Sequence, residues 1–312
     1  MKLVHEMKAI FVGIGSIGTR HVKDFYNECM KRSITPEITA YCHQKKKLPE
    51  SIENIVCREI TELDDTVYDA AFITNPTNLH YQALFELKGK AKYYFIEKPI
   101  FEGIKYDLHT LDIDSSNSYV ACPMRHTKTF RELKKIAMEK KPYYARVICS
   151  SYLPGWRPNI DYRKNYSAIE AMGGGVGRDL IHDIDYIIDL FGMPEAVRNF
   201  HGKYSQLEIT SDDLSDYLLK YNGAVVNIHL DYFGREYKRT CELYTEEGTF
   251  TADFYKEKIF CPDQTEIDCH VTENEEFVYE MKYFLDFMKG RAEVMNSPEH
   301  AYGVLKIALG EE

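Results

Sequence analysis

Gly13-Ile14-Gly15-Ser16-Ile17-Gly18 is a G-x-G-x-x-G run that follows an apolar stretch and opens a helix-like one. In that setting the first glycine permits a tight turn, the second lets a pyrophosphate reach the backbone, and the third lets a helix pack closely on a strand. The helix start adds free N–H donors and partial positive charge, so the implied chemistry is dinucleotide binding through Gly13, Gly15, Ser16, Ile17 and Gly18. The competing reading is a glycine-rich turn that binds nothing. A preference for NAD shows as an acidic residue about 20 positions further on, where it accepts from the ribose hydroxyls. This chain reads Tyr41-Cys42-His43-Gln44-Lys45-Lys46-Lys47 there. That favours a 2′-phosphate near His43 and Lys45, hence NADP(H) first and NAD(H) second; the competing reading is a solvated lysine loop.

Two further groups suit acid–base work. Glu97-Lys98-Pro99 ends a strand-like run. Taken alone, a Glu–Lys pair is an ordinary surface ion pair, but the strand and the proline put Lys98 at the mouth of the cofactor crevice. There a lysine can hydrogen-bond a substrate hydroxyl and, near an oxidised nicotinamide's positive charge, give up its proton more readily. Asp179 and His182 lie three apart in a stretch entered through Gly173-Gly174-Gly175, and on one helix they share a face. A carboxylate beside an imidazole sets its tautomer and raises its basicity, as a general acid/base near neutral pH requires. The competing reading is a helix-start carboxylate and a hydrogen-bonded core histidine. Trp156, the only tryptophan, offers a stacking face for a sugar, while Arg157 and Arg163 suit bidentate contact with carboxylate or phosphate. Packed aromatics and solvated arginines are the equal alternative for that segment.

These residues need elements to hold them. Strand-like runs at about Lys8–Val12, Ile38–Cys42, Ala70–Thr74, Tyr93–Ile96 and Tyr119–Cys122 alternate with helix-like stretches, the pattern of βαβ units around a parallel sheet. Thr19–Lys31 places Val22, Phe25, Tyr26 and Cys29 at helical spacing. Asn75-Pro76 and Lys98-Pro99 follow two of the strands, so the loops at their carboxyl ends are stiffened where such folds bind ligands. After Pro123 the rhythm changes. Tyr143–Leu153 predicts a strand, Met172–Gly192 a helix and 196–254 several long strands, with Asn222-Gly223 turning a hairpin between Asp216–Tyr221 and Ala224–Tyr232. Helices are expected over Glu275–Lys289 and Glu299–Leu309. The fold class is α/β: a dinucleotide-binding domain over 1–123 and a substrate-binding, oligomerising α/β domain over 124–312.

The 312 residues suffice for about two domains at roughly 100 to 200 residues each. With 28% charged and 44% hydrophobic residues the chain has the composition of a folded globular protein. Its net charge of −10 repels polyphosphate at long range, so nucleic acid is not an expected partner. The stretch Ala9–Ile17 is broken by glycines and too short to span a membrane, and Met1–Phe11 lacks the pattern of a signal peptide. Eight scattered cysteines without a C-x-x-C announce neither zinc nor a disulfide framework, which fits free thiols in a cytoplasm; no metal is expected.

The glycine run, Glu97-Lys98-Pro99 and the glycine-led helix with His182, in that order, resemble the glucose–fructose oxidoreductase, inositol dehydrogenase and rhizopine-catabolism family, called Gfo/Idh/MocA. Thr74-Asn75-Pro76-Thr77-Asn78-Leu79-His80 is similar to that family's loop after the third strand, and Glu246-Glu247-Gly248-Thr249 to its late sheet turn. The resemblance covers nearly the whole chain. It implies a Rossmann domain followed by a domain with an open, mostly antiparallel sheet, a homodimer or homotetramer, and hydride transfer between NAD(P) and a hydroxyl or carbonyl of a sugar or sugar derivative. It implies cofactor contacts at Thr74, Asn75, Pro76, His80, Glu97 and Lys98, with Lys98 orienting and deprotonating the reacting hydroxyl and His182 exchanging a proton with it. Many members carry an aspartate four residues before that histidine. Here the position is Arg178, with Asp179 next to it, and a cation beside His182 lowers its pKa or binds an anionic substrate. Arg125, Trp156, Arg157, Tyr162, Arg163 and Arg178 are the expected substrate contacts. Segments 152–158 and 161–166 resemble a branch associated with bacterial surface-sugar pathways. Two alternatives stand beside the dehydrogenase: a non-catalytic sensor of NADP(H), and a sugar-cleaving or epimerising enzyme that recycles a bound cofactor.

Overall fold

The computed structural model describes residues 5–42, 48–272 and 274–311. These residues fall into two compact units, the first running to Ala121 and taking in Glu276–Tyr302, the second spanning Cys122–Glu275 and continuing from Gly303.

In the first unit, β1 (His5–Val12), α1 (Ser16–Lys31), β2 (Ile34–Tyr41), β3 (Cys57–Ile60), β4 (Tyr68–Ile73), α2 (His80–Glu86), β5 (Ala91–Ile96) and β6 (Ser118–Val120) follow in order. The six strands pair in parallel in the order β3-β2-β1-β4-β5-β6. From β1 the chain moves outward to one edge, and from β4 to the other. The order therefore reverses between β1 and β4, and the crevice beyond the carboxyl ends of those strands is where open α/β sheets take ligands. Both central strands are buried on both faces, which is why Ala9–Val12 and Ala70–Ile73 are continuous apolar runs. α1 turns Val22, Phe25 and Cys29 inward at three- and four-residue spacing. β3 was not expected from the sequence: it is four residues long, only half-buried and at the sheet edge, so it lacks a hydrophobic signature.

The second unit holds α3 (Lys128–Lys140), β7 (Tyr144–Tyr152), α4 (Val176–Asp179), α5 (Ile181–Phe191), β8 (Ala196–Gly202), β9 (Leu214–Tyr221), β10 (Ala224–Asp231), β11 (Phe233–Thr245), β12 (Gly248–Asp253), β13 (Lys258–Phe260) and β14 (Glu266–Asp268). Its eight strands run in the order β14-β13-β12-β11-β7-β10-β9-β8. Only the β7–β10 pair is parallel; the others are antiparallel. The Asn222-Gly223 hairpin forms as expected, with Gly223 at φ +85° and Tyr221 opposite Ala224. One face of the central strands, including Ala145, Val147, Leu219, Ile228 and Leu243, is buried. The helix expected over Met172–Gly192 is two helices, because Leu180 leaves the helical conformation between α4 and α5.

Of the last two helices, α6 (Glu275–Phe287) and α7 (Pro298–Ala308), the first sets Phe284 against Phe72 at 5.5 Å and Phe95 at 5.2 Å, extending the aromatic core of the first unit. Arg32 at the end of α1 grips Asp286 at 2.6 Å and the Lys282 carbonyl at 3.0 Å. No helix among the described residues is long and apolar enough to cross a membrane.

Candidate active site

The glycine loop forms a cradle at the reversal of the first sheet. Gly13 sits at φ +87°, and a Cβ there would lie 2.8 Å from the Asn75 Cα, so both the turn and the neighbouring loop require glycine. A Cβ on Gly18 would lie 2.3 Å from the Gly13 carbonyl oxygen, which is the close packing the third glycine provides. Gly15 differs: nothing lies within 4 Å of where its Cβ would be, and both it and Ser16 are exposed. α1 begins at Ser16 with no side-chain cap and no acidic residue in its first turn. Its leading N–H groups are therefore left for an anion, and the space beside Gly15 is the space a phosphate needs. Ile17 follows in the same turn.

The loops after β4 and β5 rim this cradle. Thr74 Oγ1 donates to the Gly13 carbonyl at 2.6 Å and Thr74 N–H to the Val12 carbonyl at 3.0 Å, tying the β4 end to the glycine turn. Pro76 leads into a short turn over Thr77–Leu79. Asn75 Nδ2 donates to the Leu79 carbonyl at 3.2 Å, while its Oδ1 is buried with no partner among the described residues. His80 is buried, with Nε2 3.0 Å from the Asn75 carbonyl and Nδ1 3.1 Å from the Ile100 carbonyl, and so joins the two loops. Burial holds His80 below its ordinary pKa despite those carbonyls. An orphaned acceptor on Asn75, an open glycine and uncapped helix N–H groups together fit a bound dinucleotide.

Glu97 follows β5 and is 9% exposed, its Oε1 2.6 Å from Nε2 of His21 on α1. Burial alone would raise the Glu97 carboxyl, but the hydrogen bond from His21 and the charges of His21 and Lys98 carry it below its usual value. Lys98 is half-buried, and its backbone N–H donates to Glu97 Oε2 at 3.2 Å. The 98–99 peptide bond is cis. His21 was not among the residues singled out from the sequence. Its signal was there, a polar residue on the inward face of α1 three positions past Gly18, but such positions also hold inert residues.

In the second unit, the carboxylate of Asp179 closes α4 and accepts from two tyrosines, Tyr166 Oη at 2.5 Å and Tyr232 Oη at 2.5 Å. Burial, then the Asp179 charge, pushes both phenols well above their ordinary pKa, so they remain neutral donors. Trp156 stands edge-on to Tyr232 at 5.3 Å, donates from Nε1 to Ser151 Oγ at 3.0 Å and stays 36% exposed. The structure thus gathers Trp156, Tyr166, Asp179 and Tyr232; neither tyrosine was singled out for a role beforehand. Asp179 and His182 do not share one helix face as their spacing predicts, since Asp179 ends α4 and His182, in the first turn of α5, is half-buried. Arg178 donates from Nη1 to the Gly174 carbonyl at 2.5 Å, and its buried Nε has no partner among the described residues.

Two of the expected substrate contacts are paired with carboxylates of the chain itself. Arg125 is 3% exposed and donates to both oxygens of Asp185, at 2.8 and 2.6 Å, and to Asp189 at 3.0 Å. Burial would lower this guanidinium, but those carboxylates hold it above its ordinary pKa. Arg163 lies bidentate on Asp161 at 2.8 and 3.1 Å and also reaches Glu208 at 3.1 Å. The Tyr162 hydroxyl accepts from Glu208 N–H at 3.1 Å. Arg157 is exposed. His43 and Lys45, with the rest of the lysine run, lie outside the described residues.

Known proteins carry the same organisation. The family model "Oxidoreductase family, NAD-binding Rossmann fold" matches residues 7–110, and the model "GFO/IDH/MocA C-terminal domain" matches residues 141–251. "Uncharacterized oxidoreductase YrbE" of Bacillus subtilis (strain 168) is 25% identical over 269 residues, covering 78% of this chain and 72% of that protein. UDP-N-acetylglucosamine 3-dehydrogenase GnnA from Acidithiobacillus ferrooxidans superposes with a TM-score of 0.75 at 18% identity, over 98% of this chain and 96% of its own. A levoglucosan dehydrogenase in complex with NADH and levoglucosan superposes with a TM-score of 0.81 at 16% identity, over 97% and 95%. Matched in order along both parts of the chain, and resting on a parallel sheet with its glycine cradle, the two family models make this chain a member of the Gfo/Idh/MocA oxidoreductases.

Proposed function

We propose that the chain is an NADP(H)-preferring dehydrogenase or reductase that acts on a hydroxyl or carbonyl of a sugar or sugar derivative bearing an anionic group. The observation that carries this reading is the cradle: an open Gly15 before an uncapped helix, rimmed by Asn75 with an unpaired acceptor. Superposable dehydrogenases of a nucleotide sugar and of levoglucosan support the substrate class. Preference for the 2′-phosphate rests on Lys45, Lys46 and Lys47 and on the lack of a carboxylate at that strand end.

A bound nicotinamide supplies or accepts the hydride. The chain's own residues hold the dinucleotide through Gly13, Gly15, Ser16, Ile17, Gly18, Thr74, Asn75, Pro76 and His80, and handle the proton. In this reading Lys98 Nζ hydrogen-bonds the reacting oxygen and helps to deprotonate it, and the single proton released during oxidation passes to the His182 imidazole, which returns it during reduction. Asp179 positions Tyr166 and Tyr232, of which Tyr232 packs against Trp156, and the exposed part of Trp156 stacks on the sugar. Arg178, with its buried Nε unpaired, and exposed Arg157 receive the anionic group. Cytoplasmic residence and a homodimer or homotetramer complete the reading. The second sheet supports an oligomer because it exposes Arg146, Leu218 and Lys220 on one face while Val147 and Leu219 are buried on the other.

The test is turnover of purified protein with NADP+ or NADPH against aldoses, cyclitols, uronic acids and nucleotide sugars, followed by nicotinamide absorbance. Lys98→Ala is expected to abolish turnover and leave dinucleotide Kd within about threefold. Equal loss of both would confine Lys98 to the cofactor site.

A further inference from the structure

We infer that His21 and Glu97 form a positioning pair for Lys98, fixing the backbone from which that side chain departs. The inference rests on the reading of Lys98 as the proton-handling group. Glu97 is anchored twice: its N–H donates to the Ile73 carbonyl at 3.0 Å, and its Oε1 meets His21 Nε2 at 2.6 Å. Its remaining oxygen, Oε2, accepts the N–H of Lys98 at 3.2 Å. A rigid strand end, a buried imidazole and a carboxylate thus lead in sequence to the residue that carries the amine.

The choice of residues points to positioning rather than to packing. His21 is 1% exposed, with its ring 4.7 Å from Phe95 and 6.4 Å from Phe277. An apolar side chain would fill that aromatic pocket without desolvating a polar ring, and a buried ionisable pair is seldom the most stable filling of such a space. His21 also leaves Nδ1 buried with no partner among the described residues, a cost that an apolar residue would avoid. What the pair supplies in return is direction: it fixes which way the Glu97 carboxylate faces, and Glu97 remains an acceptor because its carboxyl is held below its ordinary value. His21 lies on α1, whose first turn lines the cradle, so the helix that meets the phosphates also holds the loop of Lys98.

Hydrogen exchange on the full chain tests this with the wild type, His21→Ala and His21→Gln; the glutamine amide keeps a donor that can reach Glu97. The Lys98 amide is expected to exchange about tenfold faster in His21→Ala and to return to within about threefold in His21→Gln. The amides of Phe72 and Ile73 should stay unchanged in both. An unmoved Lys98 amide overturns the inference. So does joint loosening of β4 and β5 that glutamine fails to restore, since that makes His21 part of the sheet's support alone. Turnover on the best sugar from the screen should follow, with kcat falling in His21→Ala, partial rescue in His21→Gln and little change in dinucleotide KM. Full turnover by Lys98→Ala would instead refute the role of Lys98, a failure that the exchange data separate from that of the pair.

Discussion

Arg125 and Arg163 show how far side-chain chemistry depends on neighbours. Both suit a substrate carboxylate or phosphate by type, yet Arg125 is enclosed by Asp185 and Asp189, and the exposed Arg163 is paired with Asp161 and Glu208. Arg125→Met should leave the buried Asp185 without its cation, while Asp189 keeps Lys134 at 2.6 Å, and lower stability by about 3–5 kcal/mol. Urea unfolding followed by circular dichroism checks it, and a change confined to substrate KM would restore Arg125 to the site. His229 offers a pH test. Its Nε2 lies 3.0 Å from Asp231 and its Nδ1 2.9 Å from Asp216. The Asp231 and Asp216 hydrogen bonds hold its pKa above the ordinary value against burial. A raised folded pKa means the pair's stabilisation is complete below about pH 6.5 and is lost as pH rises through the folded value. Melting scans between about pH 5.5 and 8.5 should show a smaller loss of Tm in His229→Gln than in the wild type, and parallel curves would remove the effect.

The elements divide by how strongly their sequences announce them. β1 and β4 were legible because double burial demands unbroken apolar runs, and the Asn222-Gly223 hairpin because its turn needs a positive φ. β3 was not, since a short half-exposed edge strand carries no periodicity. Nor was the break at Leu180, because the apolar pattern continues across it into α5 and only local backbone angles part the helices. The glycine cradle was legible as a motif, and its three glycines now have separate roles. The Cβ that Gly15→Val adds meets no protein atom within 4 Å, so this variant should leave Tm nearly unchanged while weakening dinucleotide binding at least about tenfold, ~1.4 kcal/mol. Gly18→Ala, by contrast, drives a methyl into the Gly13 carbonyl and should destabilise by about 1–3 kcal/mol. Calorimetry on both variants checks the split, and a fall in Tm for Gly15→Val would mean that its space is structural. In the same unit Phe284→Ala should cost about 3–5 kcal/mol, because its ring packs on both Phe72 and Phe95.

At the scale of the molecule, the parallel sheet was foreseen from the alternation of strand-like and helix-like runs before Pro123, whereas the open, mostly antiparallel sheet was implied by the family resemblance. A division by position alone does not describe residues 276–302, which return to the first unit and supply Phe284 to its core. That return was hidden because an amphipathic helix does not record which sheet it will cover. The tyrosines on Asp179 were hidden for a related reason: Tyr166 and Tyr232 are far apart in sequence, and only the fold brings their hydroxyls to one carboxylate. The central claim is that the cradle binds a nicotinamide dinucleotide with preference for the 2′-phosphate. Fluorescence titration of the purified chain with NADPH and NADH at the same low ionic strength tests it without a known substrate. The account predicts saturable binding of both, with NADPH tighter by more than about tenfold, ~1.4 kcal/mol. Tighter NADH would contradict the role given to the lysine run, and binding of neither would contradict the cradle itself.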